Sequence, residues 1–292
     1  MPNPASLSAR YKSQDVDSPR LVRLLRNFNS NAAFVVTDDS VLVFDALGSP
    51  ALAEDLVAEI RRVTPLPIRH VVVSHYHADH IYGLQVFKAL GAQILAHESG
   101  RAYLHSATAE LRLQASRQEL APWIDVRTRL VPADRWLAGS TALTIGGTEF
   151  RIEHAGPAHT GEDLVVYLPQ HKVLLAGDIV FRGRVPFVGQ ADSGAWVQAL
   201  DKLLRYDAQI IVPGHGPVSR DARADLQLTR DYLVFLRRAM ADAARDLEPF
   251  DQAYARTDWS RFEAMPLFHA ANRINAYNTY LLMEQQAAEP KR

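Results

Sequence analysis

The chain has 292 residues, 48% of them hydrophobic, which is enough for one large α/β domain with a sizeable core and an appended segment. Its formal net charge of −1, without a long basic run, gives no sign of the surface that nucleic acid or an anionic membrane requires. The absence of cysteine excludes thiolate as a metal ligand.

The sequence also lacks an apolar run of about 18 residues, and Met1–Ser6 has no apolar core of the kind found in signal peptides. As it begins, the chain is therefore predicted to be cytoplasmic; a leader removed upstream would place it in the periplasm instead. The expected partner is a small-molecule substrate, with a homo-oligomer left open, and neither nucleic acid nor a membrane is expected.

The first elements in chain order indicate alternating strands and helices. Residues 1–20 are polar and interrupted by proline, which predicts an N-terminal arm, with folding from residue 21 onward. Residues 31–37 and 41–45 predict a hairpin, because apolar β-branched runs flank a turn-forming cluster. The following predicted elements are a helix opened by Pro50, a strand at 68–73, a helix at 84–90 and a strand at 93–96.

The strand ending at Val73 runs directly into Ser74-His75-Tyr76-His77-Ala78-Asp79-His80. In an extended backbone alternate side chains share a side, so His75 and His77 can point the same way, while Asp79 and His80 diverge toward a neighbouring position. An isolated histidine here would be read as a surface residue, but four potential ligands within six residues indicate a metal site, and two metals are plausible.

Beyond a mixed helical segment at 98–123, which is expected to cover the site, the alternation resumes. The predicted elements are strands near 142–145, 148–153, 163–168, 172–176 and 208–212, with a helix at 196–205. Three further candidate ligands, His159, Asp178 and His215, each follow one of these strands at a turn marked by glycine or proline. Imidazole and carboxylate ligands suit Zn, Fe or Mn, so the metal identity stays open.

After His215 the spacing of apolar residues is typical of helices, which are predicted at 222–244 and 267–286. The organisation expected is an arm at 1–20, a metal-binding domain at 21–220 and a C-terminal helical extension at 221–292.

The ordered set His75, His77, Asp79, His80, His159, Asp178 and His215 resembles that of the metallo-β-lactamase superfamily of hydrolases over roughly residues 25 to 220. The resemblance implies a four-layer αβ/βα sandwich with a dinuclear site at one edge. It also implies that His75, His77 and His159 hold one metal, that Asp79, His80 and His215 hold the other, and that Asp178 bridges them. Two divalent transition-metal ions are expected, zinc first, with Fe or Mn as alternatives.

Asp178 stands where many zinc β-lactamases carry Cys or Ser, so the chain is similar to the glyoxalase II branch. The segment after Asp178 lacks the glutathione-site motif of glyoxalase II, and Phe181 stands where acyl-homoserine lactonases place Tyr. Residues 177–189, Trp196 and residues 278–284 resemble most closely the SoxH and quinoprotein-relay metallohydrolases.

The predicted activity is hydrolysis of an ester, thioester, lactone or amide-type bond by a metal-bridged hydroxide that Asp79, the catalytic residue, orients. Substrate choice is expected to lie in the loops around 98–123 and 181–192. Three alternatives stay open: an iron-dependent persulfide dioxygenase, a true β-lactamase, and a binding or relay protein without turnover.

Two smaller questions also stay open. Asp45, at a strand end, is either a cap or turn residue or a carboxylate that orients a ligand histidine. Arg182 and Arg184 either lie in a solvated loop or receive a substrate carboxylate or sulfonate. The remaining histidines lack ligand neighbours at useful spacing and are left out of the site: His70, His97, His105, His154, His171 and His269.

Overall fold

The computed structural model of the protein describes residues 13–15, 22–26 and 30–288. Of the N-terminal arm predicted at residues 1–20, only Ser13–Asp15 falls within this part, as the short strand β1; the rest of that prediction lies outside the described residues. The predicted boundaries at 20/21 and 220/221 stay predictions.

The described strands form two mixed sheets. The first contains, in spatial order, β1, β2 (Val22–Arg26), β3 (Asn31–Val36), β4 (Val41–Phe44), β5 (Ile68–Val72), β6 (Gln93–His97) and β7 (Arg135–Leu137). The second contains β12 (Ile210–His215), β11 (Val173–Phe181), β10 (Leu164–Leu168), β9 (Thr148–His154) and β8 (Thr141–Ile145). In the first sheet β1 to β4 are antiparallel and β4 to β7 parallel; in the second only β11 and β12 run parallel.

The helices of the described chain follow the predicted alternation. They are α1 (Pro50–Val63), α2 (Ala78–Ile81), α3 (Leu84–Ala89), α4 (Gly100–Leu104), α5 (Ala107–Glu119), α6 (Ser193–Leu203), α7 (Ala222–Arg245), α8 (Phe250–Arg256) and α9 (Phe268–Ala288). Helix α1 begins where the Ser49 hydroxyl accepts the N–H of Leu52 at 3.2 Å, with Pro50 in its first turn.

Strict alternation along the strands divides the core into three. Val35 and Leu42 face the second sheet, whereas their neighbours Phe34 and Val43 face the helices on the outer side of the first sheet. The outer face of the second sheet packs against α6, α7 and α9, with Trp196 fully buried at the centre. The result is helix, sheet, sheet, helix, which confirms the predicted four-layer α/β sandwich with C-terminal helices.

The prediction from the sequence was wrong about the extent of two strands. Strand β11 does not end before Asp178 but continues to Phe181, because Gly177, at a φ of 52°, absorbs a shift in the pairing with β12. Strand β12 includes Pro213, which is tolerated because β12 lies at the edge of its sheet. Asp178 therefore lies within a strand and His215 is the last residue of one, rather than following it in a turn. The strands β1, β2 and β7 and the short helices α2 and α8 were not predicted.

None of the described helices has the length and hydropathy needed to cross a membrane.

Candidate metal centre

Four of the predicted ligands lie just beyond the carboxyl end of β5. His75 and His77 stand in the loop that follows the strand, and Asp79 and His80 lie on the one-turn helix α2. His75 and His80 are completely buried, while His77 and Asp79 are partly exposed. The other three candidates come from the second sheet: His159 from the loop after β9, Asp178 from β11 and His215 from the end of β12. The two sheets thus meet at one edge with all seven side chains.

The first group consists of His75, His77, His159 and Asp178, whose ligand atoms all lie within 4.8 Å of one another. His77 Nδ1 is 3.0 Å from both His75 Nε2 and His159 Nε2. Three imidazole nitrogens at this spacing cannot all be satisfied by the one proton that His77 could share. Ligands of a tetrahedral zinc ion at about 2.0–2.1 Å lie roughly 3.3 Å apart, so a metal ion fits this group.

The second group consists of Asp79, His80 and His215, again within 4.8 Å. Asp79 Oδ2 is 3.6 Å from His80 Nε2 and 3.4 Å from His215 Nε2. His80 Nε2 is buried and has no hydrogen-bond partner among the described residues. A buried imidazole nitrogen left without a partner is costly, so this group also fits a cation.

Asp178 lies between the two groups. Its Oδ2 is 3.4 Å from His159 Nε2 and 3.3 Å from His215 Nε2, and its Oδ1 is 3.3 Å from His80 Nε2. The close approach depends on Gly214, because a Cβ at that position would lie 1.9 Å from Asp178 Oδ1. The carboxylate is therefore within reach of both groups.

Asp45 and Ser74 fix two of the imidazoles. Asp45, fully buried, accepts the backbone N–H of Ser74 at 2.7 Å through Oδ1, and its Oδ2 accepts the Ser74 hydroxyl at 2.8 Å and His80 Nδ1–H at 2.9 Å. Because the Ser74 hydroxyl gives its proton to Asp45, it accepts from His75 Nδ1–H at 2.9 Å. Both histidines then carry a proton on Nδ1, on the side away from the site, and direct Nε2 toward it, so Asp45 matches the second of its two interpretations.

Burial and neighbouring charges shift the pKa values of these groups in different directions. Burial lowers the pKa of His75 well below its ordinary value and that of His159 to about 3, so both are neutral ligands. Burial also lowers the pKa of His80, but Asp79, Asp178 and Asp45 more than offset it and hold the pKa well above the ordinary value. Burial raises the pKa of Asp178, yet His215 and His80 bring it well below its usual range.

The loop that carries His159 is held by Asp163, which the sequence reasoning missed, and packs against Trp196, which the sequence singled out only for its family resemblance. Asp163, almost fully buried, accepts the Thr160 N–H at 2.6 Å and the Thr160 hydroxyl at 2.9 Å, and burial raises its pKa well above the usual range. Trp196 packs edge-on against the His159 ring at 5.3 Å between centroids. The Thr160-x-x-Asp163 spacing is a local turn signal that could have identified this loop.

The two arginines have different roles. Arg182 Nε bonds to Asp225 at 3.1 Å, which ties it to α7. Arg184 instead lines a cavity of about 460 Å³ together with His77, Asp79, Asp178 and His215. Residues of both predicted loops, 98–123 and 181–192, line this cavity, among them Tyr103, Arg112 and Phe187.

Of the histidines left out of the site, His97 and His154 stack face to face, with centroids 3.6 Å apart and an interplanar angle of 9°. Neither belongs to the groups within 4.8 Å that could hold a metal ion among the described residues.

An αβ/βα sandwich with two histidine and aspartate groups at one edge defines the class of metal-dependent hydrolases that the sequence resembled. The sequence model of the metallo-beta-lactamase superfamily matches residues 25–215, so the chain belongs to that superfamily. The superfamily implies divalent metal ions, and the seven side chains are a donor set that can bind them.

Relatives of known activity differ in substrate. A linear primary-alkylsulfatase of Pseudomonas sp. (strain ATCC 19151) is 26% identical over 235 residues, which are 68% of this chain and 44% of that protein. A type 2 metallo-beta-lactamase of Bacillus sp. (strain 170) is 28% identical over 194 residues, 65% of this chain and 67% of the relative. The chain therefore spans less than half of the alkylsulfatase.

Solved structures are similar in fold. The inverting sec-alkylsulfatase Pisa1 from Pseudomonas sp. superposes with a TM-score of 0.77 at 17% identity, covering 99% of this chain and 54% of that one. A metallo-beta-lactamase from Pontibacter korlensis gives a TM-score of 0.61 at 22% identity, covering 77% of this chain and 99% of the other.

Proposed function

We propose that the chain is a dinuclear metallohydrolase that opens an ester, thioester, lactone or amide-type bond of a small molecule. In this proposal one divalent ion is held by His75, His77 and His159 and a second by Asp79, His80 and His215, with Asp178 bridging the two. Zinc is the first choice of metal, with Fe or Mn as alternatives, because the donors are imidazole and carboxylate.

The observation that carries the proposal is the position of Asp178. One of its oxygens lies within 3.4 Å of a nitrogen from each group, and neither group contains a spare protein ligand that could replace it. Its depressed pKa keeps it ionised at neutral pH, as a bridging ligand requires.

Two metals held by these residues would supply a hydroxide nucleophile at neutral pH and would polarise the bond that is attacked. The side chains of the chain itself do the rest. Asp79 is the catalytic residue: its side chain is 26% exposed, against 4% for Asp178, so it faces the cavity where it can orient the attacking group and hold its proton. Asp45 and Ser74 keep His80 and His75 in the tautomers that leave Nε2 free.

We further propose the glyoxalase II-like branch, nearest to the SoxH and quinoprotein-relay enzymes. The support is the carboxylate at position 178 in place of the thiolate or hydroxyl of many β-lactamases. A thiolate ligates a single zinc ion well, whereas a carboxylate has two oxygens to share between two ions.

A second candidate, hydrolysis of an alkyl sulfate ester, is favoured by the alkylsulfatases among the relatives. The Pisa1 superposition covers 99% of this chain, whereas that of the Pontibacter korlensis metallo-beta-lactamase covers 77%.

The test is metal content followed by a substrate panel. Protein expressed with ample zinc should contain close to two transition-metal ions per chain by elemental analysis, and one or none would overturn the dinuclear proposal. The zinc-loaded protein is then assayed on a thioester, a lactone, a carboxylic ester, an alkyl sulfate and a β-lactam of similar size. Turnover of the sulfate alone would select the second candidate, and turnover of the β-lactam alone would select a true β-lactamase.

Iron as the only retained metal, with oxygen uptake that depends on a persulfide, would replace the hydrolase by the dioxygenase alternative. Two bound metals without turnover of any substrate would favour a binding or relay protein.

A further inference from the structure

The cavity beside the metal-ligand groups carries a permanent positive charge that the ligand set does not use. Arg184 and Arg112 are the two basic side chains among its lining residues, and the acidic ones, Asp79 and Asp178, belong to the ligand set. Arg112 is exposed on α5 and Arg184 is partly buried in the segment after β11. We call these two residues and the surface between them the arginine arm.

Arg184 has an unused hydrogen-bonding capacity. Its Nε is buried without a hydrogen-bond partner among the described residues. The guanidinium instead makes a cation–π contact with the face of Phe181, at 5.3 Å from the guanidinium carbon to the ring centroid. This contrasts with Arg182, two residues earlier, which is bound to Asp225. A buried guanidinium N–H without an acceptor is costly, so a ligand that supplies an oxygen anion would be bound there.

Phe181 links Arg184 to the ligand set. Its ring stacks on His215 with centroids 5.0 Å apart and an interplanar angle of 11°. Adding this to the 5.3 Å contact puts the Arg184 guanidinium within about 10.3 Å of the His215 ring. That is the length of a short substrate chain of several bonds, so a group bound at Arg184 can belong to a molecule whose reactive bond lies over the ligands.

The charge balance favours an anion once metals are present. Without metals, Asp178 and Asp79 oppose the burial that lowers the pKa of Arg184. Two divalent cations would carry more positive charge than these two carboxylates neutralise. The metal-loaded cavity would therefore be positively charged even before the charge of Arg184 is counted. The cavity also offers apolar surface to a ligand, since Phe187 is 48% exposed and lines it.

We infer that the arginine arm binds an oxyanion on the substrate, a carboxylate or a sulfate-type group, so the substrate is an anionic molecule with a short apolar body. This rests on the proposed hydrolase function and names the substrate class of that same site. Arg184 is the specificity-determining residue, and Arg112 adds a second positive charge to the lining of the same cavity.

Binding is tested apart from turnover with probes that the enzyme does not cleave. Zinc-loaded protein is titrated calorimetrically with hexanesulfonate, hexanoate and hexan-1-ol. Wild type should bind the anions and not the alcohol, and Arg184→Gln should weaken anion binding on the order of 10- to 100-fold, the usual loss for charge-assisted hydrogen bonds. Stronger binding of the sulfonate indicates a sulfate-type group, and stronger binding of hexanoate a carboxylate.

Arg184→Lys keeps the charge but loses the planar fork, so an intermediate loss is expected. Arg69→Gln is the matched control, because Arg69 is exposed and lines a separate cavity with His70 and Gln93. It should bind the anions as wild type does. Equal anion affinity in Arg184→Gln and wild type would overturn the inference.

Turnover distinguishes this inference from the proposed function. The 4-nitrophenyl esters of butyric acid and of glutaric acid differ by one carboxylate, and wild type should have the higher kcat/KM on the glutarate monoester. Arg184→Gln should lose 10- to 100-fold on that ester and change less than about twofold on the butyrate. An equal loss on both esters contradicts the anion role. Wild type that cleaves neither ester counts against carboxylic-ester hydrolysis, and the calorimetric test then decides the inference.

Discussion

Asp45→Asn is the most informative single substitution, because one buried carboxylate orients an imidazole in each metal-ligand group. Asp45 has a φ of 63°, a left-handed conformation that Asn tolerates better than Ala does. The substitution therefore keeps size and backbone and changes only charge and hydrogen-bonding sense.

The direction of the effect follows from the backbone. The Ser74 N–H can only donate, at 2.7 Å, so the amide oxygen of Asn must take the place of Asp45 Oδ1. The amide NH₂ then faces His80 Nδ1 and the Ser74 hydroxyl, both of which now donate to Asp45 Oδ2. His80 is driven to carry its proton on Nε2, the ligand atom. Ser74, now accepting from the amide, donates to His75 Nδ1 and drives the same change there.

Loss of such an orienting carboxylate lowers metal affinity by about 10- to 100-fold, or roughly 1.4–2.7 kcal/mol. One effect works the other way, because Asp45 helps to keep a proton on His80 that metal binding must displace. That contribution fades as pH rises, so the titrations belong at pH 8 as well as pH 7, and the loss should be larger at the higher pH.

The assay is competition of zinc between the protein and a chromophoric chelator, with circular dichroism to verify folding. Both sites should weaken in Asp45→Asn. Ser74→Ala should weaken mainly the site of His75, since the Asp45 to His80 bond survives. Asp38→Asn, at the exposed turn of the same hairpin, should bind zinc as wild type does. Two sites of wild-type affinity in a folded Asp45→Asn protein would refute the tautomer argument.

Three further outcomes are expected. Asp178→Ala should lower the content from two metals per chain, measured by elemental analysis, and retention of two at wild-type affinity would show that Asp178 is not a bridge. Asp79→Ala should keep the fold yet lose about 10²-fold in hydrolysis rate when metal-loaded, and an unchanged rate would remove its catalytic role. The metal-free protein should lose stability as pH falls from His159's ordinary pKa of 6.5 toward its folded pKa of about 3, since the unfolded state binds the proton first. Because 2.5 pH units separate 6.5 from pH 4, neutral burial of His159 alone should lower the unfolding free energy by about 3 kcal/mol. His75, whose pKa is also lowered, adds to this fall and Asp163, whose pKa is raised, opposes it, so urea titrations compare wild type with His159→Gln, and an equal fall in both would contradict neutral burial of His159.

The residues of the two candidate metal-ligand groups could be found from the sequence because their chemistry is local in it. His75, His77, Asp79 and His80 stand together after an apolar strand, and His159, Asp178 and His215 each stand close to another strand. The alternation of strands and helices was also predictable, because hydrophobic periodicity is a local property of the sequence. What failed was the extent of β11 and β12, because Gly177 and Pro213 are ordinary chain breakers until sheet pairing accommodates them.

The contacts that orient the ligands were harder to predict, because they join residues far apart in the chain. Asp45 and His80 are 35 positions apart, and Asn31, whose amide donates to the Pro213 carbonyl at 2.8 Å, is 182 positions away from it. Nothing in the local pattern at Gly214 reveals that a Cβ would meet Asp178. Likewise, the different roles of Arg182 and Arg184 arise because Arg182 is the one that contacts Asp225 of α7, which the local sequence does not reveal.

The two sheets contribute unequal and complementary parts of the candidate ligand set, so metal binding at this edge would be coupled to folding. The first sheet supplies His75, His77, Asp79 and His80, and the second supplies His159, Asp178 and His215. Each proposed metal therefore has ligands from both sheets. Between them the apolar layer that contains Val35, Leu42 and Val166 packs without any metal. A metal bound at the polar edge would give partners to buried imidazole nitrogens that otherwise oppose closure of the sandwich, and it would thereby stabilise the packing of one sheet on the other.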